Sequence, residues 1–230
     1  MRYDILLLDA DETLLDYRRS AQECLEATCK RHRIPYGDHT LALYHEINDQ
    51  LWKALERGEL GRERLRYLRF ALLGERLGVP VDSAACNRDY IAAMRESGYL
   101  LSGALTVCQE LSRKYPLYLV TNGSTETQHS RIARSGLQPC LSGVFVSQEV
   151  GAQKPSPLFF QRVFQAIGNP NPRRVLMIGD SPTSDMAGGK GAGTDTCWLA
   201  PLTRPDLVGC TWRIQKLEEL PALLARTEGA

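Results

Sequence analysis

Length, composition and charge limit what kind of protein this 230-residue chain can be. A chain of this size can form one domain with an insertion, or two small domains with sound cores. Apolar residues make up 43% of it and charged residues 24%, which is ordinary for a soluble globular protein. The formal net charge of +1 gives no reason to expect a nucleic-acid polymer or a membrane surface as partner.

The N-terminal segment and the cysteines indicate where in the cell the protein is expected. The N-terminal apolar run has strand length and no basic region before it, which argues against a signal peptide. No segment approaches the ~20 apolar residues needed to span a bilayer. The seven cysteines, an odd number without a C-x-x-C pair, are typical of reduced thiols. We therefore expect a cytoplasmic protein without a membrane partner; its oligomeric state stays open.

The first predicted elements are a strand and then a long helical segment. Residues 5–8 form an apolar run that leads directly into the segment D-A-D-E-T. From residue 16 to 96, apolar residues recur at helical spacing among charges, with breaks at glycine and proline. Helices are predicted over 20–32, 41–56 and 63–77. The pattern indicates an all-helical domain, residues 16–96, inserted after the first strand.

Beyond residue 97 the patterns of helix and strand alternate. Helices are predicted over 104–114, 124–136, 157–167 and 183–193, and strands over 117–120, 144–146, 174–178 and, as the last core strand, 194–199. Alternation of this kind favours right-handed βαβ units and a parallel sheet. We predict an α/β fold: a doubly wound, Rossmann-like parallel sheet formed by residues 1–15 and 97–230, with the helical insertion as a second domain.

Polar clusters follow the predicted strands or the loops just after them. They are Asp9 with Asp11, then Thr121 with Asn122 and Gly123, then Lys154, and finally Asp180 with Asp185. Because parallel strands present their carboxyl ends at one edge of the sheet, these clusters are expected to converge. Buried carboxylates are costly unless they are paired or bind a metal. Carboxylates, one lysine and small donors together suit a divalent metal and a phosphate.

The order of these residues and their positions after strands resemble the motif pattern of the haloacid dehalogenase superfamily. Its pattern is D-x-D-x-T, a strand-terminal Thr or Ser, a Lys, and G-D-x-x-x-x-D; the matching residues are Asp9, Asp11, Thr13, Thr121, Lys154, Asp180 and Asp185. More narrowly, segments 9–14, 121–123 and 196–199 resemble small 5′-nucleotidases that act on pyrimidine and noncanonical nucleotides. The resemblance implies that the helical domain is a cap, hinged near residues 16 and 96, that closes over the sheet edge.

Asp9 and Asp11 are the predicted catalytic residues. Asp9 is expected to attack phosphorus and form an aspartyl-phosphate, which divides hydrolysis into two easier displacements. Asp11 lies on the same side of the strand end, since side chains alternate with period two. It is expected to protonate the leaving oxygen and then to take a proton from the attacking water. Dehalogenases of the superfamily have no Asp at this second position, which favours phosphoryl chemistry here.

The remaining residues are expected to bind metal, phosphate and the leaving group. Mg²⁺ is the predicted cofactor, bound by the side chains of Asp9 and Asp180 and the backbone carbonyl of Asp11, with Asp185 orienting water or Lys154. The predicted phosphate site comprises Thr121, the amides of Asn122 and Gly123, and Lys154. In the cap, the resemblance implies that the turn Arg57, Gly58, Glu59 and Leu60 projects into the active site and contributes to specificity.

The leading hypothesis is a Mg²⁺-dependent phosphatase acting on a small phosphomonoester, most nearly a nucleoside 5′-monophosphatase. An alternative of the same class is a phosphatase of phosphoglycolate or sugar phosphates, because the core is shared and the cap selects the substrate. A different class, the phosphoacceptor signalling domain, also arranges Asp, Thr and Lys around Mg²⁺. Such domains are shorter and lack a large helical insertion. A binding protein without activity is disfavoured because every expected catalytic position is filled.

Overall fold

The computed structural model describes residues 2–206 and 209–228, which divide into two compact units. One unit combines the described residues up to Tyr17 with those from Gly98 onward, and the other is Arg18–Ser97. Among the described residues, no helix combines the length and apolarity that crossing a membrane requires. All seven cysteines are free thiols.

The first unit is built on a six-stranded sheet. Its strands are β1 (Ile5–Leu8), β2 (Leu117–Thr121), β3 (Gly143–Val146), β4 (Val175–Gly179), β5 (Asp195–Leu199) and β6 (Trp212–Ile214). All neighbours pair in parallel, in the order β3-β2-β1-β4-β5-β6. The chain therefore winds outward from β1 in both directions, which confirms the predicted doubly wound α/β core. The order reverses between β1 and β4, where open sheets of this kind place their ligands.

Helices cover the sheet on both faces. They are α5 (Ala104–Leu111), α6 (Thr125–Ser135), α7 (Ser147–Val150), α8 (Pro157–Ala166), α9 (Ala187–Gly191) and α10 (Leu220–Glu228). Since successive side chains of a strand point to opposite faces, Leu6 and Leu8 of β1 pack in one layer with residues of α5 and α10. Ile5 and Leu7 pack in the other layer with residues of α8. The two layers hold β1 rigidly beneath the aspartates that follow it.

Two expectations for this unit are wrong. The strand predicted over 194–199 is not the last one, because Trp212–Ile214 adds β6 beside β5. A strand of three residues is too short to show a recognisable alternation of apolar and polar residues. Its Trp212 indole donates to the hydroxyl of Tyr3, which is distant in sequence, at 2.6 Å, and local patterns do not reveal such a contact. The helix predicted over 183–193 is a π-helical turn, Pro182–Met186, followed by the short α9. Its wide first turn brings Asp185 back to the amide of Ser181.

The second unit contains four helices, in agreement with the predicted all-helical insertion. They are α1 (Tyr17–His32, which begins at the boundary), α2 (Asp38–Glu56), α3 (Arg62–Leu77) and α4 (Ser83–Glu96). Tyr44, Phe70 and Tyr90 form its aromatic centre, with ring centroids 5.5–6.0 Å apart. The buried Arg69 guanidinium lies over the Tyr90 ring and donates to Asn87 Oδ1 at 2.8 Å. Aromatic packing around a buried cation stabilises this unit from within.

Candidate active site

Asp9 lies at the carboxyl end of β1, beside β4. Its backbone amide donates to the carbonyl of Ile178 at 2.9 Å, which continues the β1–β4 ladder and fixes the residue. The residue is only 8% exposed. Burial raises the pKa of its carboxyl to about 7; the Lys154 ammonium counteracts that rise, and the nearby negative charge of Asp185 adds to it. The strand thus presents a carboxyl group held out of bulk water.

Lys154 is the buried cation that contacts Asp9. Its Nζ donates to Asp9 Oδ1 at 2.5 Å, Asp185 Oδ1 at 2.7 Å and the carbonyl of Val120 at 2.8 Å. Burial alone would lower the pKa of Lys154, but the negative charges of Asp185 and Asp9 outweigh it and raise that pKa above its ordinary range. Since an ammonium group has three N–H donors, these three acceptors use all of them. Lys154 therefore joins β2 to the residues that follow β1 and β4.

The backbone around Lys154 is positioned by the side chain of Asn122. Asn122 Nδ2 donates to the Lys154 carbonyl at 2.8 Å, and the Lys154 amide donates to Asn122 Oδ1 at 2.9 Å. This reciprocal pair connects the loop after β2 to the loop after α7. The sequence predicts a phosphate-binding role for the Asn122 backbone amide, which stays a prediction; the structure shows that the Asn122 side chain positions Lys154.

Asp180 and Asp185 complete a cluster of carboxylates with Asp9. One carboxylate oxygen from each of the three lies within 4.8 Å of the others. Burial and the charges of Asp9 and Asp185 raise the pKa of Asp180 well above its usual range. In the described parts of the chain, no lysine, arginine or histidine forms a salt bridge with Asp180. Such a set of hard oxygen donors is suited to a divalent cation.

Asp185 is held close against the end of β4. Its Oδ2 accepts from the amide of Ser181 at 3.1 Å, while its Oδ1 accepts from Lys154. A Cβ atom on Gly179 would lie only 2.2 Å from Asp185 Oδ2, so a larger residue at that position would displace the Asp185 side chain. The glycine that ends β4 therefore allows the carboxylate of Asp185 to reach the cluster.

Asp11 is oriented by two residues that the sequence analysis did not identify. Gln128 Nε2 donates to Asp11 Oδ2 at 2.9 Å, and Arg131 Nη1 donates to Asp11 Oδ1. Both residues belong to α6 and are about 1% exposed. The available signal was two long polar side chains, three residues apart, on the helix that follows Thr121. That spacing places both on one face of the helix, here the face that packs on the sheet.

The predicted phosphate residues also lie at this edge. Thr121 ends β2, and its Oγ1 accepts from Gln128 Nε2 at 2.7 Å and from the amide of Gly123 at 3.1 Å. The core-unit residues predicted from the sequence therefore lie at the ends of β1, β2 and β4 and in the loop after α7. The carboxylate cluster contains Asp185, whereas the carboxylate of Asp11 bonds to α6.

The predicted specificity turn belongs to the other unit. Arg57 and Glu59 form a two-point salt bridge with each other, at 2.6 and 2.7 Å, and both are exposed. Gly58 between them has a φ of +74°, a conformation that glycine adopts readily. The turn has a defined local shape, and its contribution to the active site stays a prediction.

A parallel sheet with a buried aspartate at the switch point, a lysine and further aspartates defines a class of hydrolase. The family model described as haloacid dehalogenase-like hydrolase matches residues 3–193 of the chain. The chain therefore belongs to this family, as its motifs indicated.

Several proteins from other organisms are similar to this chain over most of its length. The putative HAD-hydrolase YfnB of Bacillus subtilis is 37% identical over 97% of this chain and 96% of its own. Its magnesium-bound crystal structure matches with a TM-score of 0.92 over 97% of this chain and 99% of that one. The pyrimidine 5′-nucleotidase PynA of Streptococcus pneumoniae is 36% identical over 87% and 85% of the two chains. The pyrimidine 5′-nucleotidase YjjG of Escherichia coli is 32% identical over 98% and 100%.

Proposed function

We propose that this hydrolase is a Mg²⁺-dependent phosphatase that cleaves phosphomonoesters through an aspartyl-phosphate on Asp9. The observation that carries the proposal is the buried cluster in which Lys154 Nζ bonds to both Asp9 and Asp185, with Asp180 adjacent. A buried, fixed carboxylate beside a cation and a metal-binding set of oxygens is suited to attack on phosphorus.

The chemistry of this chain's residues follows from their positions. Asp9 attacks phosphorus in line as the ester P–O bond breaks, and Asp11 gives its proton to the departing oxygen. Water then attacks the phosphorus of the aspartyl-phosphate, Asp11 takes a proton from that water, and phosphate leaves with Asp9 regenerated. The Thr121 hydroxyl and the backbone amide of Asn122, both just before α6, would donate to the phosphate oxygens, while the Gly123 amide donates to Thr121 Oγ1.

Mg²⁺ fits the charges of the cluster. When the carboxylates of Asp9, Asp180 and Asp185 are all ionised, the single ammonium of Lys154 leaves two negative charges uncompensated. A bound divalent cation would balance them and neutralise charge on the transferring phosphoryl group. The side chains of Asp9 and Asp180 would hold it, with Asp185 close by. The magnesium-bound structure of YfnB supports this assignment.

We expect Mg²⁺ to stabilise the metal-free protein more at pH 8 than at pH 5.5. Because folding raises the pKa of Asp9 from its ordinary value to about 7, the folded protein loses stability as pH rises between these two values, and the loss is complete above about pH 7. Mg²⁺ removes this penalty at high pH, whereas at low pH it must displace protons. Thermal unfolding with Mg²⁺ or with a chelator measures the difference in Tm at each pH.

The Asp180→Asn variant is the control for this experiment. Its Mg²⁺-dependent gain in Tm should be much smaller at both pH values, because a carboxylate ligand is lost. An equal gain in the native protein at pH 5.5 and pH 8 would contradict the proposed ionisable metal site. A phosphatase activity that persists in a strong chelator would contradict the metal dependence itself.

For the substrate, we propose nucleoside 5′-monophosphates, with pyrimidine deoxynucleotides first. PynA and YjjG, both pyrimidine 5′-nucleotidases, support this choice by their identity over most of the chain. In a panel assayed for released phosphate, these nucleotides should exceed phosphoglycolate and hexose phosphates in kcat/KM. A tenfold lead of either rival, about 1.4 kcal/mol of transition-state preference, would remove the nucleotidase assignment and leave the phosphatase proposal standing.

We also propose that the turn of residues 57–60 helps to select the substrate. Replacing Leu60 by Ala should alter the ranking of nucleotides more than it alters hydrolysis of a small aryl phosphate, which lacks a nucleoside to recognise. The control is Arg76→Ala, an exposed change near the C-terminal end of α3, about 21 Å along the helix axis from Arg62, where the helix begins. A Leu60→Ala enzyme with the native ranking would contradict a role for the turn.

A further inference from the structure

Gln128 connects Asp11, the proposed proton donor to the leaving oxygen, with Thr121, a proposed phosphate-binding residue. Its Nε2 donates to Asp11 Oδ2 at 2.9 Å and to Thr121 Oγ1 at 2.7 Å. A primary amide has two N–H donors, so each acceptor can receive one. Gln128 is 1% exposed, which shields both hydrogen bonds from competition with water.

Arg131 fixes which way the Gln128 amide faces. Its Nη1 donates to Gln128 Oε1 at 3.2 Å and also to Asp11 Oδ1. A guanidinium group only donates, so the amide oxygen must face Arg131 and the amide nitrogen must face Asp11 and Thr121. The chemistry of the neighbours therefore assigns the orientation of the amide.

Gly123 leaves the space through which Gln128 passes. A Cβ atom on Gly123 would lie 2.4 Å from Gln128 Cγ and 2.5 Å from Nε2. The amide of Gly123 also donates to Thr121 Oγ1 at 3.1 Å, in addition to the bond from Gln128. With both lone pairs of this oxygen accepting, the hydroxyl proton of Thr121 is directed away from them and can be donated to a substrate oxygen.

We infer that Gln128 is a positioning residue that aligns the carboxylate of Asp11 and the hydroxyl of Thr121, with Arg131 setting its orientation. The inference rests on the proposed phosphatase function. Through one amide, Gln128 sets the distance between the group that handles the leaving oxygen and a group that holds the phosphate. A misplacement of either one lowers the rate, because both must be in place in the same transition state.

The test replaces Gln128 by Met, which has a similar length but neither donates nor accepts as an amide does. Rates are measured with an alkyl phosphate and with 2,4-dinitrophenyl phosphate, whose leaving group needs no proton. Inhibition by inorganic phosphate is measured in the same preparations. We expect the alkyl phosphate to lose roughly 10–100-fold, since part of the general acid–base help is lost. The dinitrophenyl ester should lose at least tenfold less, and inorganic phosphate should inhibit more weakly.

Controls separate positioning from a general loss of stability. Ser135→Ala removes a hydroxyl that bonds to Ile132 and Leu137 at the far end of α6, and it should change neither the leaving-group dependence nor inhibition by phosphate. In an Asp11→Asn background, Gln128→Met should no longer affect the leaving-group dependence, because Asp11 is already lost as the acid. Far-UV circular dichroism and Tm establish that each variant folds. If Gln128→Met does not fold, the isosteric Gln128→Glu, which also lacks the two N–H donors, replaces it.

The outcomes distinguish this inference from the proposed function. Equal losses for both esters with unchanged inhibition by phosphate, or native rates in the variants, would overturn the role of Gln128. A native protein that hydrolyses no phosphomonoester would overturn the proposed function itself. A native phosphatase in which Asp11→Asn alters the leaving-group dependence, but Gln128→Met does not, would overturn only the inference.

Discussion

Asp9→Asn is expected to lower turnover by more than about 10⁴-fold while the fold is kept. Asparagine is nearly isosteric with aspartate, but its amide cannot act as the attacking carboxylate. Lys154 keeps its bonds to Asp185 and to the Val120 carbonyl in this variant, so the buried ammonium retains two acceptors. Phosphate release from an aryl phosphate and from a nucleotide measures the rate, and thermal unfolding measures the stability.

The matched control for this variant is Asp4→Asn. Asp4 precedes the same strand, is half-exposed and pairs with Arg174 on the surface. The same change of charge there should leave turnover unaltered, because Asp4 lies at the opposite end of β1 from Asp9. It should also cost little stability, since exposed salt bridges contribute little to it. Near-native rates in Asp9→Asn would show that another group attacks phosphorus.

Asp11→Asn is expected to lower turnover by ~10²–10⁴-fold, the usual contribution of general acid–base catalysis. The asparagine oxygen can still accept from Arg131 or Gln128, so the local structure should be retained. The loss should be greater for alkyl than for aryl phosphates, because an alkoxide leaving group requires a proton. The Mg²⁺-dependent rise in Tm should remain, since the carboxylates of Asp9, Asp180 and Asp185 are unchanged.

A comparison of leaving groups decides the role of Asp11. Equal losses across esters of different leaving-group pKa would count against it as the acid. A loss of the Mg²⁺-dependent stabilisation as well would indicate that Asp11 is required for metal binding through more than its backbone carbonyl.

The positions at which the strands end could be predicted because short apolar runs in the sequence mark each strand. Four apolar residues before Asp9, and four more just before Gly179 and Asp180, indicate buried strands whatever the rest of the chain does. Parallel pairing then requires their carboxyl ends to meet at one edge. Asp9, Thr121 and Asp180 are therefore predicted from the sequence alone to lie at one edge of the sheet.

Gln128 and Arg131 were missed because their partners are far away in sequence. Each contacts Asp11 across more than a hundred residues, and on α6 they occupy a buried face where apolar residues are usual. Local periodicity does not reveal whether a polar residue on a helix is solvated or bonds to a buried partner. Local periodicity likewise does not reveal the π-helical turn, Pro182–Met186, that returns Asp185 to the cluster.

The sequence by itself determined the doubly wound sheet, the helical insertion and the family, since hydrophobic periodicity and ordered motifs are local properties. Only the tertiary structure decided how the carboxyl groups are used. It placed Asp185 in one cluster with Asp9 and Asp180, bonded a buried lysine to Asp9 and Asp185, and bound the carboxylate of Asp11 to α6. The physical reason is that the cost of burying each charge depends on which partners the folded chain brings within hydrogen-bond distance, and no segment contains that information alone.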